Sequence, residues 1–305
     1  MTSPVSPDST TAPDPTENVL AIGLMFPEGP SIGPDGQLYV VEIAGQRVSR
    51  VGTDGTVTTF ADTGGGPNGC AFGPDGHLYV ANNGGRWPHD LPSTARARRA
   101  PEGPGVIQRI SPDGVVETYL DGVGGSPLNQ PNDICFDDRG GFYFTDPVWG
   151  GGPGRVVYCS AEGQATVAHT GLAFPNGLGV THDGQFLVVC DSMTGMLWSF
   201  KIDFPGFLGD PKPNGHLGRR SVPDGFCFDA EANLIVAGHQ TNCLFVFASR
   251  DGRPLSTIAL ADQGPTNVCF GGPEHTTVFV TSSDVGQVTT LEWPVPGMKL
   301  FPDQA

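Results

Sequence analysis

Basic residues are scarce: Lys and Arg total 16 against 32 Asp and Glu, a formal charge of −16 over 305 residues. Such a chain repels phosphate backbones and anionic bilayers, so neither a nucleic acid nor a membrane surface is expected as a partner. The single basic cluster, Arg96, Arg98 and Arg99, is too short to reverse this. No apolar run is long enough to span a bilayer. The opening MTSPVSPDSTTAPDPTEN has neither the basic nor the apolar region of a secretory signal, and its composition predicts a disordered tail over 1–18. The seven cysteines form no C-x-x-C pair. Cys70, Cys135, Cys227 and Cys269 sit in apolar, strand-like runs, which predicts reduced structural thiols and a cytoplasmic protein. Also missing are G-x-S-x-G, H-E-x-x-H, the phosphate-binding G-x-x-x-x-G-K-[ST], and a dinucleotide G-x-G-x-x-G between strand and helix. A helical apolar period is sustained nowhere.

Turn residues, by contrast, are abundant, with 45 Gly and 29 Pro. They punctuate a repeat: PEGPSIGPDGQLYV from Pro27, PNGCAFGPDGHLYV from Pro67, PNDICFDDRGGFYF from Pro131, PNGLGVTHDGQFLV from Pro175, PDGFCFDAEANLIV from Pro223 and PTNVCFGGPEHTTVFV from Pro265. Each reads as a short apolar strand, a turn and a returning strand. The starts lie 40, 64, 44, 48 and 42 residues apart, leaving room for two further strands per unit. That spacing predicts an all-β, six-bladed propeller with four-stranded antiparallel blades, one domain over 19–305. A β-sandwich or two stacked all-β domains would not produce six near-equal repeats. The last repeat is followed only by QVTTLEW, so a strand within Asn18 to Leu24 is expected to close the last blade. The long second spacing reflects an insertion near 84–105.

In a propeller the first strand of each blade lines the central channel, so the residues after the six prolines converge on one axis. They are Glu28, Asn68, Asn132, Asn176, Asp224 and Thr266, all polar. One Asn at the start of a strand is ordinary turn chemistry. A ring of two carboxylates and three amides in a low-dielectric funnel would instead repel or stay unsatisfied without a counter-cation. Oxygen donors with no thiol or imidazole favour a hard divalent ion, Ca²⁺ first, with Mg²⁺, Mn²⁺ or Zn²⁺ as the other ions considered. Asp133, next along the strand, is expected to alternate away from the axis and to support a neighbouring loop.

PEGP from Pro27, PNDI from Pro131 with YFTDP from Tyr143, PNGL from Pro175 and PDGF from Pro223, in this order and spacing, resemble the SMP-30/gluconolactonase/luciferin-regenerating-enzyme family of six-bladed propellers. The resemblance runs from about residue 19 to the C-terminus. It implies a divalent metal held by Glu28, Asn132, Asn176 and Asp224, with Asp224 also activating the water that opens a lactone, or attacking directly as the nucleophile. The expected reaction is metal-dependent hydrolysis of a sugar or other small lactone. Ester or phosphotriester hydrolysis, isomerisation on the same scaffold, and a non-catalytic propeller that binds a ligand or a protein are the alternatives.

The returning strands end near the same face and place Glu42, Asn82, Asp146, Asp191, His239 and Ser282 around the mouth. Asn68, Asn82, Asp146 and His239 are therefore candidates for substrate contact, although His239 falls one residue past the aligned position. In the insertion, Trp87 is a candidate to pack on a substrate ring, and the arginines to meet a carboxylate. His77, His182 and His275 fall in or beside turns and are read as solvent-facing.

Overall fold

The hairpin turns are built from the side chain that their sequence repeats. In the first, Asp35 accepts a hydrogen bond from Gln37 N at 3.1 Å and another from the Tyr39 hydroxyl at 3.0 Å, and Gly36 takes φ +74°. Asp75, His77, Tyr79 and Gly76 repeat this arrangement in the second hairpin. Asp is suited to such turns because its carboxylate caps the backbone two residues on, and Gly supplies the positive φ without steric cost.

The structure, a computed structural model, describes residues 16–85, 102–218, 221–261 and 264–300. An N-terminal strand, β1 (Glu17–Ile22), is followed by the first blade, β2 (Pro27–Ile32), β3 (Leu38–Glu42), β4 (Arg47–Val51) and β5 (Val57–Asp62). Blade 2 is β6 (Pro67–Phe72), β7 (Leu78–Asn82), β8 (Val106–Ile110) and β9 (Val116–Leu120); a ribbon, β10 (Gly122–Val123) with β11 (Ser126–Pro127), follows it. Blade 3 is β12 (Ile134–Phe136), β13 (Phe142–Asp146), β14 (Gly154–Cys159) and β15 (Ala165–Leu172). Blade 4 is β16 (Pro175–Val180), β17 (Phe186–Asp191), β18 (Met196–Phe204), β19 (Phe207–Leu208) and β20 (Lys212–His216). Blade 5 comprises β21 (Pro223–Phe228), β22 (Asn233–Gly238), β23 (Cys243–Ala248) and β24 (Arg253–Ala259), and blade 6 comprises β25 (Pro265–Gly271), β26 (Thr277–Ser282) and β27 (Gln287–Glu292). Neighbouring strands within every blade are antiparallel.

The ring closes through β1, which pairs antiparallel with β27 from Glu17↔Leu291 to Ile22↔Gln287 and completes the sixth blade. β1 thus begins two residues inside the segment read from composition as tail. Blade 4 carries β19 and β20 on β18 in place of a single outer strand. Apolar residues fill the six clefts between neighbouring blades, including the one where Ala21 and Leu24 meet Val40, Cys269 and Val288. All seven cysteines are free, and burial pushes the Cys135 and Cys269 thiols well above their ordinary range.

Residues 86–101 of the insertion expected near 84–105, with Trp87, Arg96, Arg98 and Arg99, lie outside the described residues. Its two ends are pinned together by Gly103 N donating to Gly84 O at 2.7 Å. His77 lies 3.3 Å from Asp75, and His182 is exposed. His275 departs from the solvent-facing reading: it is half-buried, and its ring centroid lies 6.0 Å from that of Phe270.

Candidate metal centre at the channel mouth

At the spokes the strand ladder is broken. Register shifts fall between Glu28 and Ser31, Pro67 and Gly69, Pro175 and Leu178, Pro223 and Phe226, and Pro265 and Asn267. In blade 3, β12 starts only at Ile134, while Asn132 N still donates to Thr145 O at 2.9 Å and Thr145 N to Asp133 O at 3.0 Å. Such irregularities suspend the two-residue alternation of a strand and re-aim its side chains.

Glu28, Asn68, Asn132, Asn176 and Asp224 are all buried in this zone. Glu28 Oε2 accepts from Gly29 N at 2.9 Å. Asn176 Nδ2 donates to Ser192 Oγ at 3.1 Å, and Ser192 Oγ donates to Pro223 O at 2.7 Å, which ties the fourth and fifth spokes together. Asn176 also hydrogen-bonds the Asp224 carboxylate, which lowers its pKa, but burial and the charge of Asp133 outweigh this and hold Asp224 well above the carboxylate range. Burial, then Asp224, likewise raises Glu28. Thr266 stands apart from the donors: its hydroxyl bonds Pro27 O at 3.0 Å and Thr281 Oγ1 at 2.9 Å, joining blade 6 to blade 1.

Asp133 does not turn away from the axis. It is buried, its charge acts on both Glu28 and Asp224, and its Oδ2 accepts from Asn267 Nδ2 at 3.4 Å across the channel. The residues after the six spokes are Gly29, Gly69, Asp133, Gly177, Gly225 and Asn267. A Cβ on Gly225 would land on the Asn267 amide, and one on Gly69 would lie 2.7 Å from Asp133 Cα. Gly69 and Gly225 therefore make room for the two side chains from opposed blades, while Gly29 and Gly177 let the backbones of neighbouring spoke strands approach. This signal was present in the repeats, where the position after the spoke is Gly except in the third and sixth. Below this pair the channel widens into a cavity of about 440 Å³ lined by residues such as Phe72, Phe136, Phe228 and Phe270, with none of the four expected ligands.

The aligned ends of the returning strands are engaged in loop support. Asn82 Oδ1 accepts from Gly66 N and Gly84 N, and its Nδ2 donates to Gly64 O and Gln108 Oε1. Asp146 accepts from Asn129 N, Gln130 N and Arg155 Nε, the last at 2.7 Å. Glu42 is held by Arg47, Ser49 and Met25 N, while Asp191 accepts from Ala173 N and Phe174 N. These bonds account for Asn82 and Asp146 without substrate. Ser282 is fully buried.

The following position ties returning strands to the starts of their blades' spokes. The backbone N–H groups of Ile43, Asn83, Ser192, His239 and Ser283 each donate to the carbonyl of the residue before their own blade's spoke proline, at 2.8–3.0 Å. In blade 4 this residue is Ser192, which contacts Asn176. In blade 5 it is His239, whose ring meets the backbone of Gly264 and Pro265 at the start of the sixth spoke and feels the charge of Asp284. Its Nδ1 is buried without a hydrogen-bond partner, and burial keeps the ring below the ordinary imidazole pKa.

Among the described residues no group of three or more His, Cys, Asp or Glu side chains is placed to hold a metal. The donor set expected from the sequence is instead two carboxylates and two amides. Among the described residues, the influences that shift Glu28 and Asp224 are burial, Asp133, the effect of Asp224 on Glu28, and hydrogen bonds from Gly29, Asn176 and Asn267, none of them cationic. Two carboxylates held above their ordinary range by burial and by neighbouring carboxylates fit a hard divalent cation.

The fold and mouth define a class: six-bladed propellers with oxygen donors gathered at one end of the channel. The family model for the SMP-30/gluconolactonase/LRE-like region matches residues 26–284, and the chain belongs to that family. It is 31% identical over 194 residues to diisopropyl-fluorophosphatase from Loligo vulgaris, covering 58% of this chain and 62% of the relative. It is 27% identical over 184 residues to a gluconolactonase from Zymomonas mobilis, covering 54% and 51%. These matches thus span between half and two thirds of the relatives. A calcium-binding regucalcin structure from Agrobacterium tumefaciens superposes with TM-score 0.77 over 94% of this chain and 96% of that one at 18% identity, a likeness of fold. No helix among the described residues is long and apolar enough to cross a membrane.

Proposed function

We propose that the protein is a metal-dependent hydrolase of small lactones, with Glu28, Asn132, Asn176 and Asp224 holding one divalent cation, Ca²⁺ foremost. The observation that carries this reading is the buried pair Glu28 and Asp224, whose charges have no cationic partner among the described residues. When bound, such an ion supplies Lewis-acid polarisation of an ester carbonyl.

The chain's own groups account for the remaining chemistry. Asp224 takes the proton from the attacking water, and the Asn176 amide, itself anchored on Ser192, holds that carboxylate in place. Asn68 and the neutral His239 imidazole face the substrate from blades 2 and 5. Asp133 contributes negative charge beneath the ring and keeps it electrically suited to a cation. Asp146 and Asn82 position loops, and Trp87 remains a candidate contact from outside the described residues.

The similarity to diisopropyl-fluorophosphatase favours a second reading, in which the same donors serve phosphotriester hydrolysis. A panel of aldonolactones, substituted lactones and phosphotriesters, assayed on apo protein reloaded with each of Ca²⁺, Mg²⁺, Mn²⁺ and Zn²⁺, tests both. Turnover of phosphotriesters alone would replace the first reading with the second, and no turnover with any ion would overturn both. A small-molecule substrate and a cytoplasmic setting remain part of this proposal.

A further inference from the structure

The mouth carries an apolar rim on the side of blades 3 and 4. Trp149, in the turn after Asp146, is 43% exposed, and Met193, in the next blade's turn, is 72% exposed. Water-facing side chains of this size are unremarkable singly, but these two sit beside proposed metal ligands. Trp149 N donates to Gln130 Oε1, and Gln130 lies two residues before Asn132. The indole ring lies 4.5 Å from that of buried Phe174, two residues before Asn176. Trp149 is thus fixed between the starts of the third and fourth spokes. Met193 follows Ser192, whose hydroxyl holds the Asn176 amide.

A polyhydroxylated lactone would need a hydrogen-bonding partner for each hydroxyl it buries, since leaving such groups unpaired is unfavourable. Among the described residues the mouth is poor in such partners. Glu42, Asn82, Asp146 and Asp191 are all engaged by backbone N–H groups, and Glu42 and Asp146 also by Arg47 and Arg155 of the neighbouring strands. The polar residues one position further on are engaged as well, Asn83 Oδ1 by Gly85 N, Ser192 Oγ by Asn176 and Pro223 O, and Ser283 Oγ by Gly264 O, so that Asn68 and His239 remain, on other blades.

We infer that Trp149 and Met193 form a subsite for an apolar alkyl or aryl substituent, so that the preferred substrate is a lactone or ester bearing such a group and not a bare sugar lactone. This rests on the hydrolase reading for its kinetics but not for its binding. Two additional methylenes buried against this rim correspond to about tenfold in affinity.

Metal-loaded protein is assayed with a hexyl-substituted γ-lactone, unsubstituted γ-butyrolactone and δ-gluconolactone. A non-hydrolysable hexyl γ-lactam and its unsubstituted parent are titrated by calorimetry. The expected result is a kcat/KM for the hexyl lactone about tenfold or more above either other lactone. Trp149→Ala and Met193→Ser are expected to reduce that ratio several-fold, mainly through KM. The calorimetric preference for the hexyl lactam should fall in parallel. Preference for gluconolactone, or a ratio untouched by both substitutions, overturns the inference. If no lactone is turned over while the hexyl lactam binds in preference to its parent and loses that preference in Trp149→Ala, the hydrolase reading fails and the apolar subsite stands. Absence of both turnover and lactam preference overturns the subsite.

Discussion

Asn267 Nδ2 in blade 6 donates to Asp133 Oδ2 in blade 3 at 3.4 Å, so two diametrically opposed blades are joined across the channel directly beneath the proposed metal ligands. Asp133 is raised to about 6, chiefly by burial. A carboxyl raised in the folded state contributes stability that is present below its unfolded pKa of about 4 and lost as pH rises through 6. In chelator-treated protein, Asp133→Asn should therefore gain stability over the parent between pH 5 and pH 8, by roughly 2–3 kcal/mol, while at pH 4 the two should be close. Urea unfolding at the two ends of this range checks it; a parallel pH dependence of parent and variant would show that Asp133 is not the buried titrating group.

Asp224 has the same sign over a wider window, since its folded pKa is raised from 3.8 to about 8. Without metal, the melting temperature should fall from pH 5 to pH 9. Excess Ca²⁺ should reduce that fall, because a ligand at 100 times its Kd adds about 2.7 kcal/mol. Differential scanning fluorimetry with chelator and with Ca²⁺ measures both curves, and equal pH slopes would count against a cation between Glu28 and Asp224.

Gly29 has φ +42°, and a Cβ there would lie 2.8 Å from Gly69 Cα and 2.9 Å from Cys70 N. The obstruction is backbone, which cannot swing aside as a side chain can. Gly29→Ala should destabilise the protein by about 2 kcal/mol or more and displace the adjacent Glu28. Chemical unfolding reads the first effect and metal affinity the second; a near-neutral variant would mean that the first two spoke strands are further apart.

Deleting residues 1–22 removes β1 and exposes the edge of β27. It also removes buried Ala21 from the cleft between the sixth and first blades. The melting temperature should drop by several degrees, with increased association through the open edge. Calorimetry and light scattering together test this, and an unchanged melting temperature would contradict closure through β1.

The propeller was legible because its hairpins repeat local chemistry: an Asp or a Gly at the turn, apolar alternation on both sides, and a proline before each spoke. The spoke ring was legible for the same reason, since Glu28, Asn68, Asn132, Asn176 and Asp224 occupy one position of the repeat. Alternation misled where the ladder shifts. Asp133 faces inward because the strand is irregular at that point, and Asp146 and Asn82 turn into loops while Ser192, one residue past the aligned position of its own blade, reaches the Asn176 amide. Long-range complementarity such as Gly225 making room for Asn267 is a property of packed blades, although the exchange of Gly for Asp and Asn in just the third and sixth repeats was its trace in the sequence.

The central claim is that the spokes hold one hard cation, and calcium calorimetry on chelator-treated protein tests it most directly. The account predicts one site per chain in the parent, binding weakened at least tenfold in Glu28→Gln and in Asp224→Asn, and no binding in the double variant. Absence of a site in the parent, or full affinity in the double variant with the fold intact by circular dichroism, would contradict it.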